Sequence, residues 1–300
     1  MAQAWKCAGL RWSPEGPTLM WDGGRRSPLS WGKQVSFEVA GGRVRRCVGA
    51  QGHACPRGTG VSGRSTGARC EECARLDRAH SVAADAVADD PRPYRVYLAW
   101  FGPGLVKVGI TAVERGSVRL LEQGAVCFSW LGAGPLMAAR RTEELLRAAL
   151  RVPDRIPYAD KRAVRAALPA SEAERAGEIR EVYGRAVELG GWPESLERAP
   201  FHPVDHVRAF GLAGAPAAFG EVRELVPGGS LSGRLVAAAG PDLQLTTGEG
   251  AIVLDTRLMR GWELGPAAAD AGEAADPAGR QARFPVRRFT SDDHRQDGLF

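Results

Sequence analysis

The chain has 300 residues, 44% of them hydrophobic, with 38 glycines, 20 prolines and a formal net charge of +5. That length accommodates two small domains or one with attachments, and the glycine and proline content predicts short elements joined by many turns. No apolar run approaches the roughly 18–20 residues of a membrane span, and the N-terminal MAQAWKCAGLRW lacks the apolar core of a signal peptide, which together argue against a membrane protein and for a cytoplasmic one.

In chain order, residues 1–46 alternate short apolar runs with turn signals. Residues 18–21 and 34–39 read as strands, and Trp12, Trp21 and Trp31 are spaced for a small β core. Residues 47–73 hold four of the six cysteines around a glycine-rich loop at 56–67 that has nothing to bury and so needs an anchor. A short helical run from 74 leads to the acidic, proline-flanked segment 89–93, which predicts a boundary and a first region of 1–92.

Residues 94–168 are the most regularly patterned. Strands at 94–101 and 105–110 flank the tight turn Gly102-Pro103-Gly104 and read as a hairpin. Thr111 is placed to cap a helix over 113–122. A third strand follows at 125–131. A long helix begins in the 132–135 turn and runs to about 150, with Ala138, Ala139, Thr142, Leu145, Leu146, Ala149 and Leu150 on one face. Two further amphipathic helices are expected over 160–190, and strands return at 220–226, 231–238 and 251–254. Residues 169–263 thus read as a helical and β region with a second small β unit, and 264–300 as a disordered tail with little to bury. The fold class predicted is α+β.

The cysteines are ordered Cys47-x5-His53-x-Cys55-x14-Cys70-x2-Cys73. In a cytoplasmic chain such a cluster points to metal more than to disulfides. Zinc takes four thiolate or imidazole donors in a tetrahedron. The Cys70-x2-Cys73 step supplies two, and Cys47 with Cys55 supplies the others, His53 being the alternative. Four protein ligands leave no position for water, so such a site staples the fold and does no catalysis. Eight arginines (Arg43, Arg45, Arg46, Arg57, Arg64, Arg69, Arg75, Arg78) against three acids in residues 41–80 form a basic segment that favours a phosphate-bearing partner. Zinc on four thiolates lowers that local excess from +5 to about +3. Reduced cysteines in a small core and a solvated, Arg-biased surface are the plainer readings.

Lysine is rare, at positions 6, 33, 107 and 161 only, which makes Lys107 in mid-strand unusual. Val96-Tyr97-Leu98, then Lys107-Val108-Gly109, then a helix with Arg115 and Arg119, then a helix with Glu143 and Glu144, resembles the GIY-YIG nuclease superfamily over residues 94–155. The resemblance implies a three-stranded sheet with flanking helices. It also implies Tyr97 beside an attacking water, Arg119 on the scissile phosphate, and Glu144, with Glu143 as rival, on a divalent ion such as Mg or Mn. Lys107 stands where that superfamily has its second tyrosine, and the chain contains no asparagine. These departures favour nucleic-acid binding over cleavage, with an active endonuclease and a protein-interaction scaffold as alternatives. More narrowly, Lys107-Val-Gly-Ile-Thr111, Arg119, Glu122-Gln-Gly-Ala125 and the cysteines resemble a bacterial family known only as a domain of unknown function.

Three plainer roles compete. Tyr97 reads equally as a core aromatic. Glu144 reads as one member of a helix ion-pair network with Arg140, Arg141 and Arg147. His202-x3-His206 has zinc-like spacing but contains Pro203, which argues against a second metal.

Overall fold

Alternation decides the clearest strand. In Gln34–Val39 every second residue is apolar, and Val35, Phe37 and Val39 are buried while Gln34, Ser36 and Glu38 face outward. This strand lies inside a larger sheet in the computed structural model, which describes residues 3–79, 90–267 and 282–289. The protein is α+β, with mixed sheets and few helices. No helix among the described residues is long and apolar enough to cross a membrane. The chain forms two units, one from the N-terminal segment to residue 86 together with 214–289, the other from 87–213.

The first unit begins with β1 (Trp5–Ser13), β2 (Gly16–Trp21), β3 (Arg26–Pro28) and β4 (Gln34–Val39), followed by the cysteine loop and α1 (Glu71–Ala79). The second unit contributes β5 (Pro93–Trp100), β6 (Val106–Ala112), α2 (Val118–Gln123), β7 (Cys127–Pro135), α3 (Leu136–Leu150), α4 (Tyr158–Val164), α5 (Glu172–Arg175), α6 (Gly177–Val187), β8 (Glu197–Arg198) and β9 (Val204–Asp205). The chain then returns to the first unit with β10 (Ala218–Val222), β11 (Gly229–Ala239), β12 (Asp242–Thr247), β13 (Gly250–Asp255), β14 (Glu263–Gly265), β15 (Ala282–Arg283) and β16 (Val286–Arg288).

In the first unit the strand order is β16-β10-β13-β12-β11-β4-β14-β1-β2-β3, with β15 beside β11. The N-terminal strands and those of 218–265, which the sequence places in separate regions, therefore share one sheet. The pairing β4–β11 and the bond from Trp12 Nε1 to the Gly240 carbonyl (2.7 Å) tie them together. Such long-range partners leave no local mark in the sequence. The expected tail falls largely on 268–281 and 290–300, outside the described residues, but 286–288 pair with β10. Trp31 is 42% exposed and not part of the core.

In the second unit β6-β5-β7 form the centre of an antiparallel sheet, with β8 and β9 on β7. Strand β5 is buried on both faces. Tyr94, Val96, Leu98 and Trp100 pack with Leu136, Ala139, Leu146 and Ile179 on the helix-covered side, while Tyr97, Ala99 and Phe101 pack with Leu120 and Phe128 on the other. Four local expectations are corrected. Thr111 lies inside β6 and caps nothing, because the chain stays extended through Ala112. The expected helix over 113–122 divides into a 3-10 turn at Val113–Arg115 and α2. The third strand runs on to Pro135 because residues 132–135 pair with 93–96 of β5, and β8 on its other edge lies so close that a Cβ at Gly132 would come within 2.5 Å of the Glu197 carbonyl. Ala149, expected on the buried face of α3, is exposed.

Candidate metal centre and a buried lysine network

The cysteine loop is built from turns. Ala50 and His53 exchange both backbone hydrogen bonds (3.1 and 2.9 Å) across Gln51 and Gly52, whose φ values are +52° and +81°. Two positive φ angles in a two-residue loop are what a type I′ hairpin needs. Gly49, at φ +78°, precedes it, and a Cβ there would sit 1.8 Å from the His53 carbonyl oxygen. The Cys47 sulfur accepts from the Gly49 and Cys70 amides at 3.4 and 3.2 Å. Cys70 begins α1 through the bond from the Ala74 amide to its carbonyl. Hairpin and helix thereby bring Cys47, Cys55, Cys70 and Cys73 together, with all four sulfurs within 4.8 Å of one another. His53 is exposed and outside this group, so the four candidate donors are cysteines.

The group could hold a metal ion such as zinc. Four thiolates at a zinc–sulfur distance of about 2.3 Å place the sulfurs about 3.8 Å apart in a tetrahedron. The Cys55–Cys70 separation is 4.0 Å, which fits a shared ion and is about twice a disulfide bond length. All four are free thiols. The backbone amides of Thr59 and Arg57 pull the Cys55 thiol down to about 6, and that of Cys73 lowers Cys70. Burial and the neighbouring sulfurs push the Cys73 thiol up to about 12. Amide donors aimed at sulfur stabilise thiolates, which is the form a metal requires.

Beside this centre lies Arg45, 1% exposed. Its guanidinium donates to four carbonyls, those of Arg260 (2.8 Å), Ser62 (2.6 Å), Ser65 (2.6 Å) and Arg257 (2.9 Å). The 56–67 loop therefore has a second anchor that sequence reasoning missed, since Arg45 reads as one more member of a basic surface while its neighbour Val44 is exposed. The other arginines are mostly engaged: Arg43 with Glu263, Arg57 with Glu72, Arg64 with Glu224 and Arg69 with Asp77.

In the second unit, register places Gly109 opposite Tyr97 and Lys107 opposite Ala99. Tyr97 (2% exposed) accepts a hydrogen bond from Gln123 Nε2 at 2.8 Å, and Lys107 Nζ (8% exposed residue) donates to Gln123 Oε1 at 2.8 Å and to the Asp154 carbonyl at 2.9 Å. Lys161 Nζ donates to the Gln123 backbone carbonyl and lies 3.9 Å from the Phe101 ring centroid. Burial, and then the Arg119 guanidinium, bring Lys107 down to about 8, opposed by Glu143 and Asp154. Burial raises the Tyr97 hydroxyl and the Glu143 carboxyl. Thr111 Oγ1, on the strand face of Lys107 and Gly109, is buried with no hydrogen-bond partner among the described residues.

The structure thus brings Tyr97 and Lys107 into one network through Gln123, with Arg119 acting on both by charge. Gln123 is the residue the sequence undersold, reading as a helix stop. Glu144 is exposed and pairs with Arg147 at 3.0 Å, while Glu143 is the carboxylate that acts on Lys107 and Tyr97. His206 is a core residue, its Nδ1 2.9 Å from the Ala125 carbonyl and its ring between Phe128 and Phe210.

A family model described as a protein of unknown function, DUF2797, matches residues 32–264. The chain belongs to this family. The DUF2797 span contains all four cysteines, Arg45 and the Tyr97–Gln123–Lys107 network, whereas β1 to β3 precede it. No curated protein and no solved structure matched the chain.

Two predictions arise from the DUF2797 network. A Cβ at Gly109 would meet the Tyr97 hydroxyl at 2.3 Å, so Gly109→Ala displaces a buried ring and is expected to lose about 1–3 kcal/mol in urea unfolding. Lys107 titrates lower in the folded protein (about 8) than its ordinary 10.5, so below about pH 8 the folded state carries the whole penalty of a buried charge. Stability gains from this group as pH rises from about 8 to 10.5, where the unfolded chain holds the proton and the folded one has released it. Unfolding curves across that window show the rise, and Lys107→Met flattens it.

Proposed function

We propose that the four cysteines hold a structural zinc ion and that the 87–213 unit is a degenerate GIY-YIG-like module that binds nucleic acid without cutting it. The observation that carries the second part is the state of Tyr97 and Lys107. A tyrosine that helps deprotonate water needs access to that water, yet the Tyr97 hydroxyl is buried and engaged by Gln123. A divalent ion on Glu143 would have to compete with the Lys107 ammonium, whose charge already acts on that carboxyl, and like charges exclude each other from a buried site. Glu144, the other candidate ligand, faces solvent beside Arg147. The half-exposed Arg115 and Arg119 guanidiniums share Glu122, and Arg119 acts by charge on Tyr97 and Lys107; exposed pairs of this kind are weakly held, and guanidiniums match phosphate.

The test pairs binding with cleavage. Fluorescence anisotropy of labelled DNA and RNA should show salt-sensitive binding that weakens several-fold in Arg119→Ala and is unchanged in Glu144→Ala. Magnesium or manganese should yield no cleavage. Metal-dependent cleavage abolished by Glu143→Ala would replace this reading with an active endonuclease. Absence of any binding would favour a protein-interaction scaffold, a reading consistent with the acids that neutralise half of the eight arginines in residues 41–80.

A further inference from the structure

The first unit contains a cavity of about 190 Å³ that the metal centre does not use. Its walls come from β1 (Lys6, Ala8), the 3-10 turn after β2 (Asp22), the cysteine hairpin (Val48, Gly49, Ala50, Gly52), and Arg69 and Arg260. Pockets for drug-sized molecules run from about 300 Å³ upward, so this one admits only a small ion or a single chemical group. Three cations and one carboxylate line it.

The carboxylate does not neutralise the guanidiniums. Asp22 is paired with Lys6, at 3.6 Å. Arg69 is held by the Gly49 carbonyl at 2.9 Å and by Asp77, which is outside the lining. Arg260 is different. Its Nε donates to the Ala8 carbonyl at 3.1 Å, but among the described residues neither of its Nη atoms has a hydrogen-bond partner. Burial lowers the Arg260 guanidinium from its ordinary value, and the like charge of Arg69 lowers it further. The Arg260 Nη donors, fixed through Nε and without a carboxylate acceptor, match the tetrahedral oxygens of phosphate.

We propose that this cavity binds a phosphate-sized oxyanion on Arg260, Arg69 and Lys6, either as the free ion or as the terminal phosphate of a nucleotide chain. The site is separate from the Tyr97 network and from any nucleic-acid binding there, so either can fail without the other.

The test is calorimetric titration of the full chain with inorganic phosphate, with chloride at equal ionic strength as control. Saturable binding is expected for phosphate and not for chloride. Arg260→Gln should weaken it about tenfold or more and Lys6→Ala about threefold, the scale of losing one charge-assisted hydrogen bond in a buried or a half-exposed position. Lys6→Ala keeps the test valid if Arg260→Gln fails to fold. A second arm compares an oligonucleotide with and without a 5′-phosphate. Tighter binding of the phosphorylated form, lost in Lys6→Ala, identifies a chain end as the ligand, and no difference between the two identifies the free ion. No heat with phosphate, or equal binding by wild type and Lys6→Ala, overturns the proposal and leaves Arg69 and Arg260 as counter-charges to a metal–thiolate centre.

Discussion

Arg45→Met is expected to destabilise the first unit by about 3–5 kcal/mol, the range for breaking a fully engaged buried charge. The methionine fills much of the same volume, so the loss does not come from a cavity. It comes from four carbonyls, on Ser62, Ser65, Arg257 and Arg260, that lose a part-buried donor reaching all of them at once. Each is a backbone group that cannot leave, and an unsatisfied buried acceptor costs more than the net gain of the bond it replaces. Arg45→Lys should recover little, because an ammonium cannot direct donors along the fan that a planar guanidinium reaches. Urea unfolding of the three proteins measures this. A loss below about 1 kcal/mol in Arg45→Met would mean that the carbonyls find other partners and that the arginine is not an anchor.

The second large effect is expected at the cysteines. Cys73→Ser replaces one of the two buried cysteines of the cluster with a hydroxyl that neither ionises at neutral pH nor binds zinc well. With three ligands left, the proposed ion would be released and the remaining thiolates would lose the charge that holds them together. Apparent binding energies at such sites reach about 10–16 kcal/mol when the whole fold depends on the ion. Here Arg45 and the bond from the Val48 amide to the Ala68 carbonyl (2.9 Å) also fasten the loop, so a smaller fall, on the order of 5 kcal/mol, is expected. Hydrogen exchange should show it locally: protection lost over 45–79 and kept in β5 to β7. Treatment of wild type with a strong chelator should give the same pattern. Unchanged protection over 45–79 in Cys73→Ser would show that the loop is held without a metal.

What could be read in the sequence follows the range of the interactions. The β4 alternation, the 94–110 hairpin and the cysteine spacing are local, and each emerged where expected. The missed β1 has no such signature, since Trp5–Ser13 carries Lys6 and Arg11 among its apolar residues, and β12 offers only the brief alternation of Leu243 and Leu245 after a buried aspartate. Their pairing partners supply the burial. The same holds for charged residues in the interior. Arg45, Lys107 and Lys161 are buried because carbonyls, an amide and aromatic faces far along the chain surround them. Lys107 was singled out by its apolar strand context, whereas nothing around Arg45 distinguishes it from seven exposed-looking neighbours. Glu143 and Glu144 are adjacent in sequence, and only the rotation of α3 decides which one faces the network.

The central claim, a closed four-cysteine zinc staple, is tested most directly by the metal content of the full chain purified without added metal or chelator. Elemental mass spectrometry should find about one zinc per chain, falling to near zero in Cys73→Ser. A wild-type protein that is folded, carries no stoichiometric metal and has four cysteines open to rapid thiol labelling would contradict it.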